Sequence, residues 1–154
     1  MERRRLEVEV TAPLPAATLA VLDFWLGQWS VRSRDGELAG TDRVERVLGG
    51  YAVLEHWRSV TGEEGKSLFY FDRSAGTWKQ VWVIEGYVKE KALVLAEPRR
   101  VRFQGHAYVD GASFPDRTTL TVLPGGGVAQ LIEHSLDDGV SWKTSFDAVY
   151  TPLR

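Results

Sequence analysis

The stretch TWKQVWVIE, Thr77 to Glu85, alternates two kinds of side chain. In an extended chain Trp78, Gln80, Trp82 and Ile84 share one face, and Lys79, Val81, Val83 and Glu85 share the other, because successive side chains of a strand point to opposite sides. The first face is large and aromatic, interrupted by a single amide. In a dry core a buried amide needs a partner, so this face suits the wall of a cavity. The second face is flanked by charge but keeps Val81 and Val83, which suits an outer wall covered by a second copy of the chain. A homodimer is therefore one expected partner.

The same arrangement recurs. In YAVLEHWRS, Tyr51 to Ser59, Val53, Glu55 and Trp57 share a face opposite Ala52, Leu54, His56 and Arg58. In VRFQGHAYVD, Val101, Phe103, Gly105, Ala107 and Val109 align against Arg100, Arg102, Gln104, His106 and Tyr108. Gln130, Ile132 and His134 align, with Leu131 and Glu133 opposite, and Trp142, Thr144, Phe146, Ala148 and Tyr150 align near the end of the chain. Several strands thus each offer an aromatic and one polar group. Ligand pockets are built this way, mostly apolar with a few placed polar anchors. Glu55, Gln80 and Gln130 are the expected anchors. Trp57, Trp78, Trp82, Phe103, Phe146 and Tyr150 are the expected walls.

Turn signals punctuate these runs. Asp35-Gly36, Gly49-Gly50, Gly62 to Gly65, Asp72 to Gly76, Glu85-Gly86, Asp110-Gly111, Pro124 to Gly127 and Asp138-Gly139 divide the chain at intervals of roughly 10 to 15 residues. The expected strands cover about 4–11, 28–35, 40–48, 51–60, 66–72, 77–84, 87–95, 99–109, 117–123, 128–135 and 141–150. One segment reads as helix. Pro15 to Leu22 has good helix formers after an early proline, with Leu19, Leu22 and Trp25 or Leu26 at helical spacing and Gly27 to end it. The expected fold is all-β, an antiparallel lipocalin-like meander barrel of about 8–10 strands with a short N-terminal helix. Closure removes exposed sheet edges. A single domain over residues 1–154 is expected, since no linker or low-complexity tract divides the chain.

Composition bounds the function. Hydrophobic residues make up 44% and charged residues 26% of the 154, ordinary values for a globular domain. A net charge of -2 and a pI near 5.9 argue against a nucleic-acid or membrane-surface partner. The basic run Arg3-Arg4-Arg5 is short, is followed by Glu7 and Glu9, and reads as a solvated arm. There is no cysteine, which excludes disulfides, thiolate metal sites and cysteine nucleophiles. No apolar run has the length of a signal-peptide core or a membrane span, so a cytoplasmic location is expected. No phosphate loop, dinucleotide fingerprint or Gly-x-Ser-x-Gly elbow occurs.

Gly27-Gln28-Trp29, at the start of the first strand after the helix, resembles the Gly-x-Trp of the calycin superfamily. That superfamily includes lipocalins, fatty-acid-binding proteins and haem-binding nitrobindins. The resemblance implies that Trp29 packs across the closed end of a barrel. LDFWLGQWSV, GGYAVLEHWRS, FDRSAGTWKQVWV and GGGVAQLIEHSLDDGVSWKTSFDAVYT together are similar to uncharacterised, mainly bacterial lipocalin-like domains. The similarity runs from about Leu22 to Tyr150. Its pattern residues include Gly27, Trp29, Gly50, Glu55, Trp57, Trp78, Gln80 and Trp82, then Gln130, Glu133, Ser135, Asp137, Gly139, Trp142, Phe146, Asp147 and Tyr150. The resemblance implies a fold and carries no catalytic assignment.

Ser135 to Trp142, SLDDGVSW, resembles the Asp-box of sialidase propellers, with Ser141 in place of the usual threonine. There the box is a hairpin device: the aspartate caps the turn, the glycine takes a positive φ and the tryptophan packs beneath. A chain this short holds no propeller, so a stabilising hairpin is expected and a glycosidase is not.

His56, His106 and His134 have no compact metal-ligand spacing, and no metal or cofactor is expected. Haem on His106 or His134 is the sharper alternative through the nitrobindin relationship, but the chain lacks a convincing match to that family's haem-ligating segment. Arg102 reaches an anionic head group only if a bulge reverses its strand.

The leading expectation is a binding barrel for a small apolar or aromatic molecule. The alternative is an isomerase, cyclase or hydrolase of a small hydrophobic metabolite, with Glu55 as acid or base, its pKa raised by burial near Trp57. Glu133 is a second candidate carboxylate. In the structural counterpart Glu55 accepts hydrogen bonds from Gln80, Gln130 or an arginine and orders the interior.

Overall fold

The computed structural model describes residues 13–154. After a four-residue helix α1 (Ala16–Leu19) and a 3-10 turn (Asp23–Trp25) come ten strands. They are β1 (Gly27–Ser33), β2 (Leu38–Val47), β3 (Ala52–Ser59), β4 (Glu64–Asp72) and β5 (Thr77–Ile84). Then follow β6 (Tyr87–Glu97), β7 (Arg100–Val109), β8 (Ala112–Val122), β9 (Val128–His134) and β10 (Lys143–Pro152). Each strand pairs antiparallel with the next, and β1 pairs with β10 to close the barrel. This all-β barrel with a short helix fits a lipocalin-like fold. The strand expected over residues 4–11 lies outside the described residues. No helix among the described residues is long and apolar enough to cross a membrane.

Turn chemistry sets the register. Glu85-Gly86 and Asp110-Gly111 both have positive φ at both positions (47° and 82°, 48° and 81°). Such turns match the twist of the strands they join. The second turn starts β8 at Ala112, five residues before the strand expected from 117. The extra length carries Asp116 into the sheet.

The helical segment is shorter than its spacing suggests. Leu22 and Trp25 are both buried, and a 3-10 turn delivers them into the barrel mouth in fewer residues than a continued α-helix. Trp25 is fully buried, stacked on Trp29 at 5.8 Å and tilted against Tyr150 at 4.8 Å. The Trp29 indole N–H donates to the Trp25 carbonyl at 3.1 Å. Trp29 therefore closes this end, as the Gly-x-Trp resemblance implies. The Trp78 indole N–H donates to the Thr18 carbonyl at 2.8 Å and ties the helix to β5.

The SLDDGVSW hairpin is capped as expected. Asp137 Oδ1 accepts from the Ser141 backbone N–H and the Ser135 hydroxyl, each at 2.8 Å, and Gly139 has φ of 88°. The Ser141 hydroxyl, which donates to Asp137 Oδ2, and then these two donors hold the Asp137 carboxyl down to about 2. Asp137→Ala should lower the thermal midpoint near neutral pH. An unchanged midpoint in a melting curve would show that the cap does not stabilise the hairpin.

Candidate ligand-binding site

The inner wall of the barrel changes character along its axis. At the helix end it is a dry plug of Trp25, Trp29, Trp78, Phe69, Val101 and Val128. Beyond the plug the buried inward positions turn polar. Asp42, Glu55, Ser67, Gln80, Lys91, Thr118 and Gln130 supply one group from each of β2 to β6, β8 and β9. A cavity of about 200 Å³ opens against Glu55, Gln80, Lys91, Thr118 and Gln130. Trp57, Trp82, Phe146 and Ile132 provide its apolar walls, and it reaches the surface beside Lys89 and Ser145.

Glycines place three of these features. At Gly65 a Cβ would run into the Trp82 ring, and at Gly40 it would stand 2.8 Å from the Trp57 ring. Both indoles therefore occupy space that a side chain at the glycine would fill. Gly105 stands between Lys91 on β6 and Asp116 on β8 in the cross-strand register. A Cβ there would meet the Lys91 Cα at 2.8 Å. Its absence lets the Lys91 ammonium cross β7 and pair with the Asp116 carboxylate.

The polar groups form three sets. Gln80 Nε2 donates to Ser67 Oγ at 2.9 Å, while Gln80 Oε1 is buried and has no hydrogen-bond partner in the protein. Gln130 Nε2 donates to the Tyr150 hydroxyl at 2.7 Å. The two glutamines therefore donate to these oxygens and not to Glu55. On the other side Lys91 Nζ donates to Thr118 Oγ1 at 2.6 Å and pairs with Asp116, whose other oxygen binds Lys89 Nζ at 2.9 Å. Burial and the Lys89 charge push Lys91 down to about 8, against the pull of Asp116 and Glu55.

The third set is the acid pair. The Asp42 carboxyl neighbours that of Glu55, and both of its oxygens are buried without a side-chain hydrogen-bond donor. Burial first, then the Glu55 charge, push Asp42 up to about 12. The Tyr150 hydroxyl is driven well above its ordinary value by burial and by the same two carboxyls.

A carboxyl with a raised folded pKa keeps a proton that the unfolded chain loses above about 4, so stability falls as pH rises. Lys91 acts in the opposite sense, but only between about 8 and 10.5. Between pH 4.5 and 7.5 the Asp42 effect therefore stands clear of Lys91. Asp42→Asn should gain stability over the parent as pH rises in that window, by up to about 1.4 kcal/mol per pH unit. Urea midpoints for both proteins across the window measure the slope. Parallel curves would mean Asp42 ionises normally.

Of the expected ligand residues, Glu55, Trp57, Gln80, Trp82, Gln130, Phe146 and Tyr150 line the cavity. Trp78 and Phe103 are not among the lining residues. Both are buried in the core, with Phe103 edge-on to Phe69 at 5.3 Å. Lys89, Lys91, Thr118, Ile132 and Ser145 line the cavity without having been singled out as ligand residues. In β10 a register shift between Thr144 and Phe146 interrupts the alternation. It brings Ser145 to the cavity, and Trp142 instead lies under the Arg117 guanidinium at 4.0 Å.

Glu133 is away from the cavity, bonded to Arg117 at 2.9 Å. Arg102 bonds Thr119 at 2.9 Å, without the reversal that would turn it inward. None of the histidines lines the cavity. His56 meets Lys66 at 2.8 Å, His106 neighbours Tyr108, and His134 packs on Phe114. A haem inside the barrel would find no histidine on the cavity wall. Among the described residues no group of three or more acidic or histidine side chains is placed to hold a metal ion. Val83 is exposed and Val81 half-buried on the outer wall.

No family model matches the chain, and no curated protein matches it.

Proposed function

We propose that this is a calycin-type barrel that binds a compact aromatic molecule carrying a hydrogen-bond donor and an acceptor or anionic group. The observation behind this reading is the mixed lining of the cavity. Indoles of Trp57 and Trp82 and the Phe146 ring stand beside an unpartnered Gln80 Oε1 and the Lys89–Lys91 ammonium pair. Size narrows the ligand. An apolar cavity of about 150 Å³ holds benzene, so one of about 200 Å³ suits a single substituted ring and is short for a long acyl chain. A ring donor would satisfy Gln80 Oε1, and an acceptor would meet Lys89 or Lys91.

4-Hydroxybenzoate carries both groups on one ring. It should quench tryptophan fluorescence saturably, and Trp82→Ala should weaken binding about tenfold, the value of a lost aromatic contact. No saturable quenching by this or related hydroxylated aromatic acids would refute the reading. A catalytic reading has its own observation: Glu55 lines the cavity, and beside it is the Asp42 carboxyl, whose pKa is raised by burial. It requires that Glu55→Gln retain binding of a substrate while abolishing its conversion.

A further inference from the structure

We propose that Lys91 is a carbonyl-capturing amine, condensing with an aromatic aldehyde that enters the cavity to form an imine. This rests on the cavity being a small-molecule site. Lys91 is the buried member of a pair: its side chain is 2% exposed, that of Lys89 23%. Both ammoniums lie on the inner face of β6, two residues apart, and both bind the one carboxylate of Asp116. A single carboxylate does not compensate two cations in a dehydrated wall. Lys91, the more deeply buried, gives up its proton more readily. Desolvation beside a second cation is a general way of activating a lysine nucleophile.

The charged groups facing Lys91 are Asp116 on β8, Lys89 on its own strand and Glu55 on β3 across the cavity. Burial first, then the Lys89 charge, bring its folded pKa down to about 8 against the opposing pull of Asp116 and Glu55, so a substantial neutral fraction exists in mildly alkaline solution. The remaining lysines, Lys66, Lys79 and Lys143, are on the outer wall or exposed.

The step balances without another reactant. The Lys91 nitrogen lone pair attacks the carbonyl carbon, and the π pair moves to oxygen. The two N–H hydrogens leave with that oxygen as water, and the C=N bond replaces C=O. Nothing is oxidised or reduced. Trp57 and Trp82 offer faces for the ring, and Gln80 Oε1 offers an acceptor for a ring hydroxyl.

The probe is 4-hydroxybenzaldehyde at pH 8 with sodium cyanoborohydride, which reduces the imine to a stable amine, followed by peptide mapping. In the unmodified sequence Lys91 should be labelled about tenfold faster than Lys66, Lys79 or Lys143, and excess 4-hydroxybenzoate should slow it. Labelling at Lys91 no faster than at those three would overturn the proposal. Saturable 4-hydroxybenzoate binding without selective labelling would overturn the lysine chemistry alone. Loss of both would remove the cavity reading as well. Lys89→Met leaves Asp116 to Lys91 alone and should slow labelling severalfold. An unchanged rate would refute activation by the shared carboxylate.

Discussion

Asp116→Asn should cost about 3–5 kcal/mol of stability, the usual penalty for removing one partner of a buried ion pair. Asp116 is 1% exposed and is the carboxylate shared by Lys89 and Lys91. Without its charge two ammoniums face each other across a low-dielectric wall, one of them 2% exposed. Asparagine keeps the shape and one acceptor oxygen, so the loss reports charge rather than packing. The exposed pair Arg58–Glu64 is the control, since surface ion pairs contribute about 0–1 kcal/mol. Urea unfolding of Asp116→Asn beside Glu64→Gln makes the comparison. Equal small losses would mean that the lysines are solvated and that the polar belt is not a buried network.

Trp25→Ala should be comparably severe, about 3–5 kcal/mol, as for other fully buried tryptophans truncated to alanine. The ring is completely buried between Trp29 and Tyr150, on a short 3-10 turn with little capacity to collapse into the gap. Trp142 is the contrasting case. It lies under Arg117 on the outer wall, at 4.0 Å from the guanidinium, and its loss should cost about 1 kcal/mol. Thermal denaturation of the two variants checks the order. If Trp25→Ala were no worse than Trp142→Ala, the helix end would not be a packed plug.

The legibility of this chain follows from period-2 alternation. It placed Glu55 and Trp57 on the inner face of β3, and Gln80 and Trp82 on that of β5, because each strand mixes bulky aromatics with obvious outer charges. It was silent on Asp42, Lys89 and Lys91. Alternation assigns two faces without saying which is inner, and lysine is rarely buried unless paired. The partner was hidden too. Asp116 falls just before the strand expected from 117, whereas β8 already begins at Ala112. The available signal was Gly105 amid a run of larger residues, a sign of close backbone or side-chain approach. Trp78 and Phe103 carry the right pattern for walls but sit at the plugged end, and alternation along a strand does not reveal depth along the barrel axis. Trp142 was misaligned by the irregularity at Ser145, which no local residue type announces.

The most direct measurement is the response of the six tryptophan indole N–H signals in a ¹⁵N-labelled sample titrated with 4-hydroxybenzoate. Trp57 and Trp82 line the cavity; Trp25, Trp29 and Trp78 are in the plug, and Trp142 is outside. Binding as proposed shifts the Trp57 and Trp82 signals together, saturably, and leaves Trp142 unmoved. A response confined to Trp142, or none at all from Trp57 and Trp82, would contradict a ligand site inside the barrel.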